Sequence, residues 1–309
     1  KLDLLAAKVE GHPDGFGFAI VGHGQPDLVL DHKEMQKVLH GDQVLVRASG
    51  ADYKGRPIGK IIEVTERANL KIVARLINDH GVWLAIPENK RISQDILITP
   101  DGIAGAAAEQ IVVVELISQP NKHAKPIGKI VEILGNYDDS GMEIEIALRK
   151  HNLPYIFPEA ALQQAKNTPA GVSAADYGDE DGVAREDLRD LPLVTIDGET
   201  ARDFDDAVFA QPVGEGWRLV VAIADVSHYV RPNDALDVEA IERGNSVYFP
   251  RRVIPMLPEA LSNGICSLNP QVERLCMVCD MQVAAEGIVT QYRFYPAVMR
   301  SIARLTYTQ

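Results

Sequence analysis

The chain has 309 residues, too long for one small domain, and its 46% hydrophobic content excludes global disorder. No run approaches the roughly 18 apolar residues of a membrane-spanning helix, and the start "KLDLLAAKVEG" lacks the apolar core and cleavage site of a signal peptide. The formal charge of −13 taken alone argues against a nucleic-acid partner, but 18 basic and 21 acidic residues fall in 1–150 and 13 and 23 in 151–309. The acid therefore concentrates in the second half, and a local basic surface in the first is not excluded.

The first half repeats itself. "RPIGKIIEV" (56–64) recurs as "KPIGKIVEI" (125–133), "GDQVLVR" (41–47) has a counterpart in "EQIVVVEL" (109–116), and "GFGFAIV" (15–21) aligns with "GVWLAIP" (81–87). Each copy consists of short alternating or apolar runs broken by Gly, Pro, Asp and Asn, the signature of strands and turns. A period of about 65–70 residues fits one five-stranded Greek-key barrel per copy, the OB or cold-shock architecture. Barrel 1 is expected over 8–67 and barrel 2 over 68–149.

Residues 150–192 read as a connector, with a helix in "PYIFPEAALQQAKN" that Pro158 suits at its first turn, then an exposed linker rich in Gly, Pro and acids. Residues 193–309 change character. "LPLVTID" and "WRLVVAIAD" are near-continuous apolar strands of the kind found in a buried sheet. "NDALDVEAIERG" predicts a helix capped by Asn233 and stopped by Gly244. The fold class expected is multidomain: two small all-β barrels, then a mixed α+β domain that the chain leaves incomplete.

"TIDGETARDFDD" (195–206) holds four aspartates and one glutamate against a single arginine. Asp197, after an apolar strand and before Gly198, should sit at a strand end or a turn. If "DFDDAVF" begins the next, Asp203 and Asp205 share a face and Asp206 points the other way. An exposed acidic turn is the plain alternative, but apolar strands on both sides put these acids at the edge of a core. Hard oxygen ligands suit Mg²⁺ or Mn²⁺. Four carboxylates are enough for two ions, which clamp a phosphodiester when about 3.5–4 Å apart. An EF-hand is excluded, because Gly198 directly follows Asp197 where the loop requires glycine at its sixth position.

Phe16 and Phe18 in "DGFGFAIV" project from one face of a predicted strand and form a candidate base-stacking platform. Gly17 between them is expected to clear space on the opposite face. Core burial is the alternative for both rings. In "NSVYFPRRVIPMLPEALSNGICSL" (245–268), Tyr248 is a candidate to stack on a base and Arg251 and Arg252 to meet phosphates, with a plain surface loop as the alternative that each residue alone would favour. Cys276 and Cys279 have zinc spacing without a completing set, so strand burial explains them better. With Cys266 they make three cysteines clustered in one region, which points to a reducing compartment and hence the cytoplasm. His228 has no evident partner and reads as structural.

From "LVTIDGETARDFDDAV" through "WRLVVAIADVSHYV" and "YFPRRVIPMLPEALSNGICSLNP" to "ARLTYT", the chain resembles the catalytic domain of the ribonuclease II superfamily. "DGFGFA" and "HGDQVLV" resemble that family's two N-terminal cold-shock barrels, so the resemblance covers essentially the whole chain. It implies hydrolysis of single-stranded RNA from a free 3′ end, processively and 3′→5′, to nucleoside 5′-monophosphates, by a monomer. It implies that Asp197, Asp203, Asp205 and Asp206 hold a divalent metal, Mg²⁺ or Mn²⁺, at the scissile phosphate. Tyr248 would pack on the 3′-terminal nucleotide, and Phe16 and Phe18 fall where cold-shock domains stack bases. The family's later phosphate-contacting arginine, its glutamate, its base-sandwiching phenylalanine and its S1 barrel are expected beyond Gln309. The competing reading is an RNA-binding or chaperone module with an inert nuclease domain, and a weaker third is an endonuclease of the same metal chemistry.

Overall fold

A computed structural model describes residues 4–22, 24–178 and 184–308. The chain divides into two compact units, 1–153 and 154–309.

The first unit contains both expected barrels, each closed and five-stranded. In barrel 1, β1 (Leu5–Gly11), β2 (Gly17–Ile20), β3 (Leu28–Leu30), the short helix α1 (His32–Met35), β4 (Gln43–Ala51) and β5 (Pro57–Glu66) follow in sequence. Barrel 2 repeats the plan with β6 (Lys71–Asp79), β7 (Val82–Pro87), β8 (Ile96–Ile98), β9 (Gln110–Ser118) and β10 (Ile127–Asn136). The internal repeat thus maps β2 onto β7, β4 onto β9 and β5 onto β10. In both barrels the third strand closes on the fifth in parallel, Val29 opposite Ile58 and Leu97 opposite Ile127. Alternating inward residues such as Val9, Ala19, Leu30, Val44 and Val46 fill barrel 1, and Leu76, Ala85, Ile96, Val112 and Val114 fill barrel 2. A helix that the strand-and-turn reading did not anticipate, α2 (Met142–Lys150), buries Met142, Ile144 and Leu148.

Gly17 clears space on the face opposite the two rings, as expected. It lies on the inner face, where an added Cβ would stand 2.6 Å from the Met35 Sδ and 2.8 Å from the Glu10 carbonyl oxygen. The space it leaves is taken by Met35 of the barrel's own helix. Gly17→Ala should therefore cost about 1–3 kcal/mol through overpacking against backbone. Urea denaturation measures this, and an unchanged midpoint would contradict it.

The second unit opens with α3 (Glu159–Asn167), with Pro158 extended at its N-cap. Its main element is a seven-stranded sheet of β11 (Glu186–Leu188), β12 (Val194–Asp197), β13 (Asp206–Val213), β14 (Gly216–Ala224), β17 (Glu273–Val283), β18 (Val289–Arg300) and β19 (Ala303–Thr306). The strand order is β11-β18-β17-β14-β13-β12-β19. Between β14 and β17 lie α4 (Ala235–Arg243), a hairpin of β15 (Val247–Phe249) and β16 (Arg252–Ile254), and a π-helical segment, Ala260–Ile265.

Three expectations change here. The α4 cap is Asp234, whose side chain accepts the Asp237 N–H, while Asn233 takes a left-handed turn at φ 65°. Gly244 ends the helix as expected, at φ 73°. The expected exposed linker is partly built into the sheet: β11 pairs in parallel with β18, and Arg185 is buried against Asp225 at 2.5 Å. Its residues 179–183 lie outside the described set. Finally, the apolar strands are not covered on both sides. β14 buries Val220, Ala222 and Ala224 and leaves Ile223 exposed, and Met277 and Phe294 continue that open face on β17 and β18. This one-sided burial is normal for an antiparallel sheet. Cys276 is buried in the core, and neither it nor Cys279 has a metal set around it among the described residues. No helix among the described residues is long and apolar enough to cross a membrane.

Candidate active site

The acidic stretch joins two neighbouring strands. Asp197 is the last residue of β12 and Asp206 the first of β13. Asp203 and Asp205 precede the strand instead of lying on it, so the expected two-residue alternation does not govern them. What fixes them is Phe204 between them, buried in the core. Its N–H donates to Ser267 Oγ at 3.0 Å, and its carbonyl accepts the Leu268 N–H at 2.8 Å. The carbonyl of Asp205 accepts the Ala224 N–H at 2.8 Å. Pinned this way, the segment turns Phe204 inward and leaves its two neighbours outside. Asp206 stands opposite Ile223 on the open face of the sheet.

The four carboxylates sense one another. Burial, then the charges of Asp206 and Asp203, push the Asp197 carboxyl above its ordinary value, with Arg304 opposing. Asp205 remains open to solvent, yet the surrounding protein desolvates it, and the charges of Asp203, Asp206 and Asp197 raise it further. Asp197 Oδ2 is buried without a hydrogen-bond partner. No three acidic, histidine or cysteine side chains converge into a ready ion cage among the described residues. A magnesium site does not need one, since one or two carboxylates suffice with water and substrate phosphate completing the shell. An orphaned buried oxygen within a set of mutually repelling carboxylates fits a divalent cation.

Tyr248 meets this cluster. It lies in the β15–β16 hairpin with 64% of its surface exposed, and its hydroxyl donates to Asp203 Oδ2 at 2.8 Å. That bond, followed by burial, raises the phenol above its usual value. Arg251 occupies the exposed tip of the same hairpin, three residues on. Phe16 and Phe18 belong to the other unit. Both point away from the barrel core, their rings edge-to-face at 5.7 Å.

Several residues at these places were not anticipated. Arg304, on β19, donates to the Gly198 carbonyl at 3.3 Å and to the Glu199 carbonyl, and lies 5.0 Å over the Phe204 ring. It thereby ties the Asp197 turn to the segment bearing Asp203 and Asp205. On barrel 1, His12 stacks on Phe16 at 4.3 Å and the Arg56 guanidinium lies 6.0 Å over Phe18, so four side chains cluster there. Only the parallel pairing of β19 with β12 brings Arg304 into place, and nothing local in "ARLTYT" signals it.

Comparison with known proteins agrees with this architecture. Residues 7–64 match the ribonuclease B OB domain, 85–158 the cold shock domain and 185–309 the RNB domain. Ribonuclease R of Escherichia coli is 54% identical across the whole chain, which spans 38% of that protein's length. Ribonuclease R of Acidithiobacillus ferrooxidans is 48% identical, with 70% of its length covered. The structure of Mycoplasma genitalium RNase R in complex with ribose-methylated single-stranded RNA superposes with a TM-score of 0.89 at 25% identity, over 99% of this chain and 48% of that one. Yeast Ssd1, a pseudonuclease, shares the fold at a TM-score of 0.70 and 15% identity, over 99% of this chain and 44% of that one. The chain belongs to the ribonuclease R family of RNB-domain proteins.

Proposed function

We propose that the protein to which this chain belongs hydrolyses single-stranded RNA from a free 3′ end, processively and 3′→5′, releasing nucleoside 5′-monophosphates. The observation that carries this reading is the set of four mutually repelling aspartates at the β12–β13 junction, one of them bonded to an exposed tyrosine. Asp197, Asp203, Asp205 and Asp206 would hold Mg²⁺, or Mn²⁺ in its place. When bound, a divalent cation neutralises charge on the phosphodiester and makes the attacking water more acidic.

The chain's own residues have separable tasks. The Tyr248 ring offers a stacking face for the terminal base, and its hydroxyl holds Asp203 in register. Arg251 presents a guanidinium to the phosphate backbone from the hairpin tip. Phe16 and Phe18 stack bases of the incoming strand. Phe16→Ala and Phe18→Ala should each weaken RNA binding in chelator by about 1–3 kcal/mol, the worth of one stacked base. Fluorescence anisotropy reads this loss, and wild-type affinity in both variants would remove the platform.

The test of the reaction uses a 5′-labelled oligoribonucleotide with Mg²⁺ and the full-length parent. A ladder shortening from the 3′ end supports the exonuclease. A shifted but uncut band supports instead an RNA-binding module. Cleavage of circular RNA would indicate an endonuclease, because an exonuclease needs a free end. The intact set of four aspartates favours the first outcome.

A further inference from the structure

We propose that Arg304 is a positioning residue for the aspartate set: its guanidinium fixes the separation of Asp197 from Asp203 and Asp205, so that the carboxylates can share a divalent cation. The inference rests on the cation reading of that set and adds the residue that keeps it assembled.

Asp197 ends β12, and Asp203 opens the short segment that leads into β13. Residues 198–202 between them form a turn outside the sheet, so strand pairing does not set how far apart its ends lie. Arg304 spans that turn. It stands opposite Thr195 in the parallel pairing of β19 with β12, and its guanidinium donates to the carbonyls of Gly198 and Glu199, directly after Asp197. The same group lies 5.0 Å from the centre of the Phe204 ring, which stands between Asp203 and Asp205. Two residues just past β19 reinforce the grip. The Tyr307 N–H donates to the Asp197 carbonyl at 3.3 Å, and the Thr308 hydroxyl donates to Glu199 Oε1 at 2.8 Å.

Charge alone does not account for an arginine here. A fixed positive charge beside these carboxylates repels a divalent ion, so as a bare charge Arg304 would oppose loading of the site. Geometry compensates. A planar guanidinium can bridge two carbonyls and rest on a ring at once, which a lysine ammonium cannot do. The Arg304 Nε is buried with no hydrogen-bond partner among the described residues, so the side chain keeps this place against a desolvation cost. Beside Arg304 and Phe204 lies a cavity of about 520 Å³, lined also by Arg202, Asn263 and Asn269. It is space and not packing, so losing the guanidinium leaves the turn room to move.

The sign of one effect separates positioning from charge. Mn²⁺ is titrated into the full-length parent and the free ion followed by electron paramagnetic resonance, with the sites lost in Asp205→Asn defining the cluster. Arg304→Met keeps an apolar stem on Phe204, and Arg304→Lys keeps the charge, but both lose the fork that holds the two carbonyls. Each should weaken Mn²⁺ at the cluster about 10–100-fold, the usual loss when a group that orients a metal ligand is removed. RNA affinity in EDTA should stay at the wild-type value, because Arg304 acts through the turn and not on substrate. A bare charge predicts the reverse for the metal, tighter Mn²⁺ in Arg304→Met and no change in Arg304→Lys. Wild-type or tighter Mn²⁺ binding in either folded variant therefore overturns the positioning role. Lost RNA affinity in EDTA overturns it too, since Arg304 would then contact the substrate. Urea denaturation checks the fold, and if Arg304→Met does not fold, Arg304→Lys carries the same test. If Asp205→Asn removes no Mn²⁺ site, the cation reading falls together with this inference. If it removes one and the Arg304 variants bind as wild type, the inference alone falls.

Discussion

Replacing Asp205 by asparagine in the full-length parent should abolish cleavage while RNA binding persists. The substitution keeps the shape of the side chain and removes one charge from a set of four that repel one another. Loss of a carboxylate from a cation-holding site removes several kcal/mol of transition-state stabilisation, about 10³-fold in rate or more. Binding survives because the stacking rings and exposed basic groups lie on other residues. The fold should survive as well. Without metal, ionised Asp205 faces Asp203, Asp206 and Asp197, so Asp205→Asn in chelator should be as stable as wild type or more so. Turnover at the wild-type rate would sink the assignment of Asp205, and loss of folding would sink the account of how the segment is held.

The second large effect concerns stability. Arg185 and Asp225 form a buried ion pair, their side chains 3% and 6% exposed. Burial alone would raise the Asp225 carboxyl. Hydrogen bonds from Ser227 and Arg185 and the Arg185 charge outweigh it and hold the group below its ordinary value. Arg185→Ala strands a buried carboxylate and should cost about 3–5 kcal/mol at neutral pH. Since the folded-state value is depressed, the pair's stabilisation is complete above the unfolded carboxylate value near pH ~4. It is lost as the pH falls through the lower folded value. The difference between wild type and Arg185→Ala should therefore shrink on acidification, as Asp225 takes up a proton in both. Urea denaturation at neutral pH and below pH ~4 measures it. A difference that grows in acid, or that is absent at neutral pH, would contradict the account.

Much of this was legible because the informative signals were local. The barrels show in a repeat whose copies share turn residues as well as apolar positions. The acidic stretch stands out by density, and its flanking strands indicate that it sits at the edge of a core. Features made by distant pairing were not legible. Tyr248 reaches Asp203 across 45 residues, and only the family resemblance placed it near the site. Arg304 reaches the Asp197 turn across 106, through a parallel strand pair that periodicity cannot reveal. That Gly17 clears space behind the two rings was legible, but the side chain that fills it, Met35, comes from a helix beyond the strand's own pattern. At α4 two adjacent residues could both cap. Asp234 takes the role and Asn233 the left-handed turn before it, a division that depends on backbone angles. Arg185 was assigned to a linker because its neighbours are acidic and glycine-rich, although its partner lies 40 residues away in the core.

The central claim is that Asp197, Asp203, Asp205 and Asp206 together hold a divalent cation. Crystals of the parent protein soaked in Mn²⁺ and measured at the manganese absorption edge test it most directly. The account predicts anomalous density within coordinating distance of these carboxylates. Manganese bound only elsewhere, or no density there at saturating concentration, would contradict it.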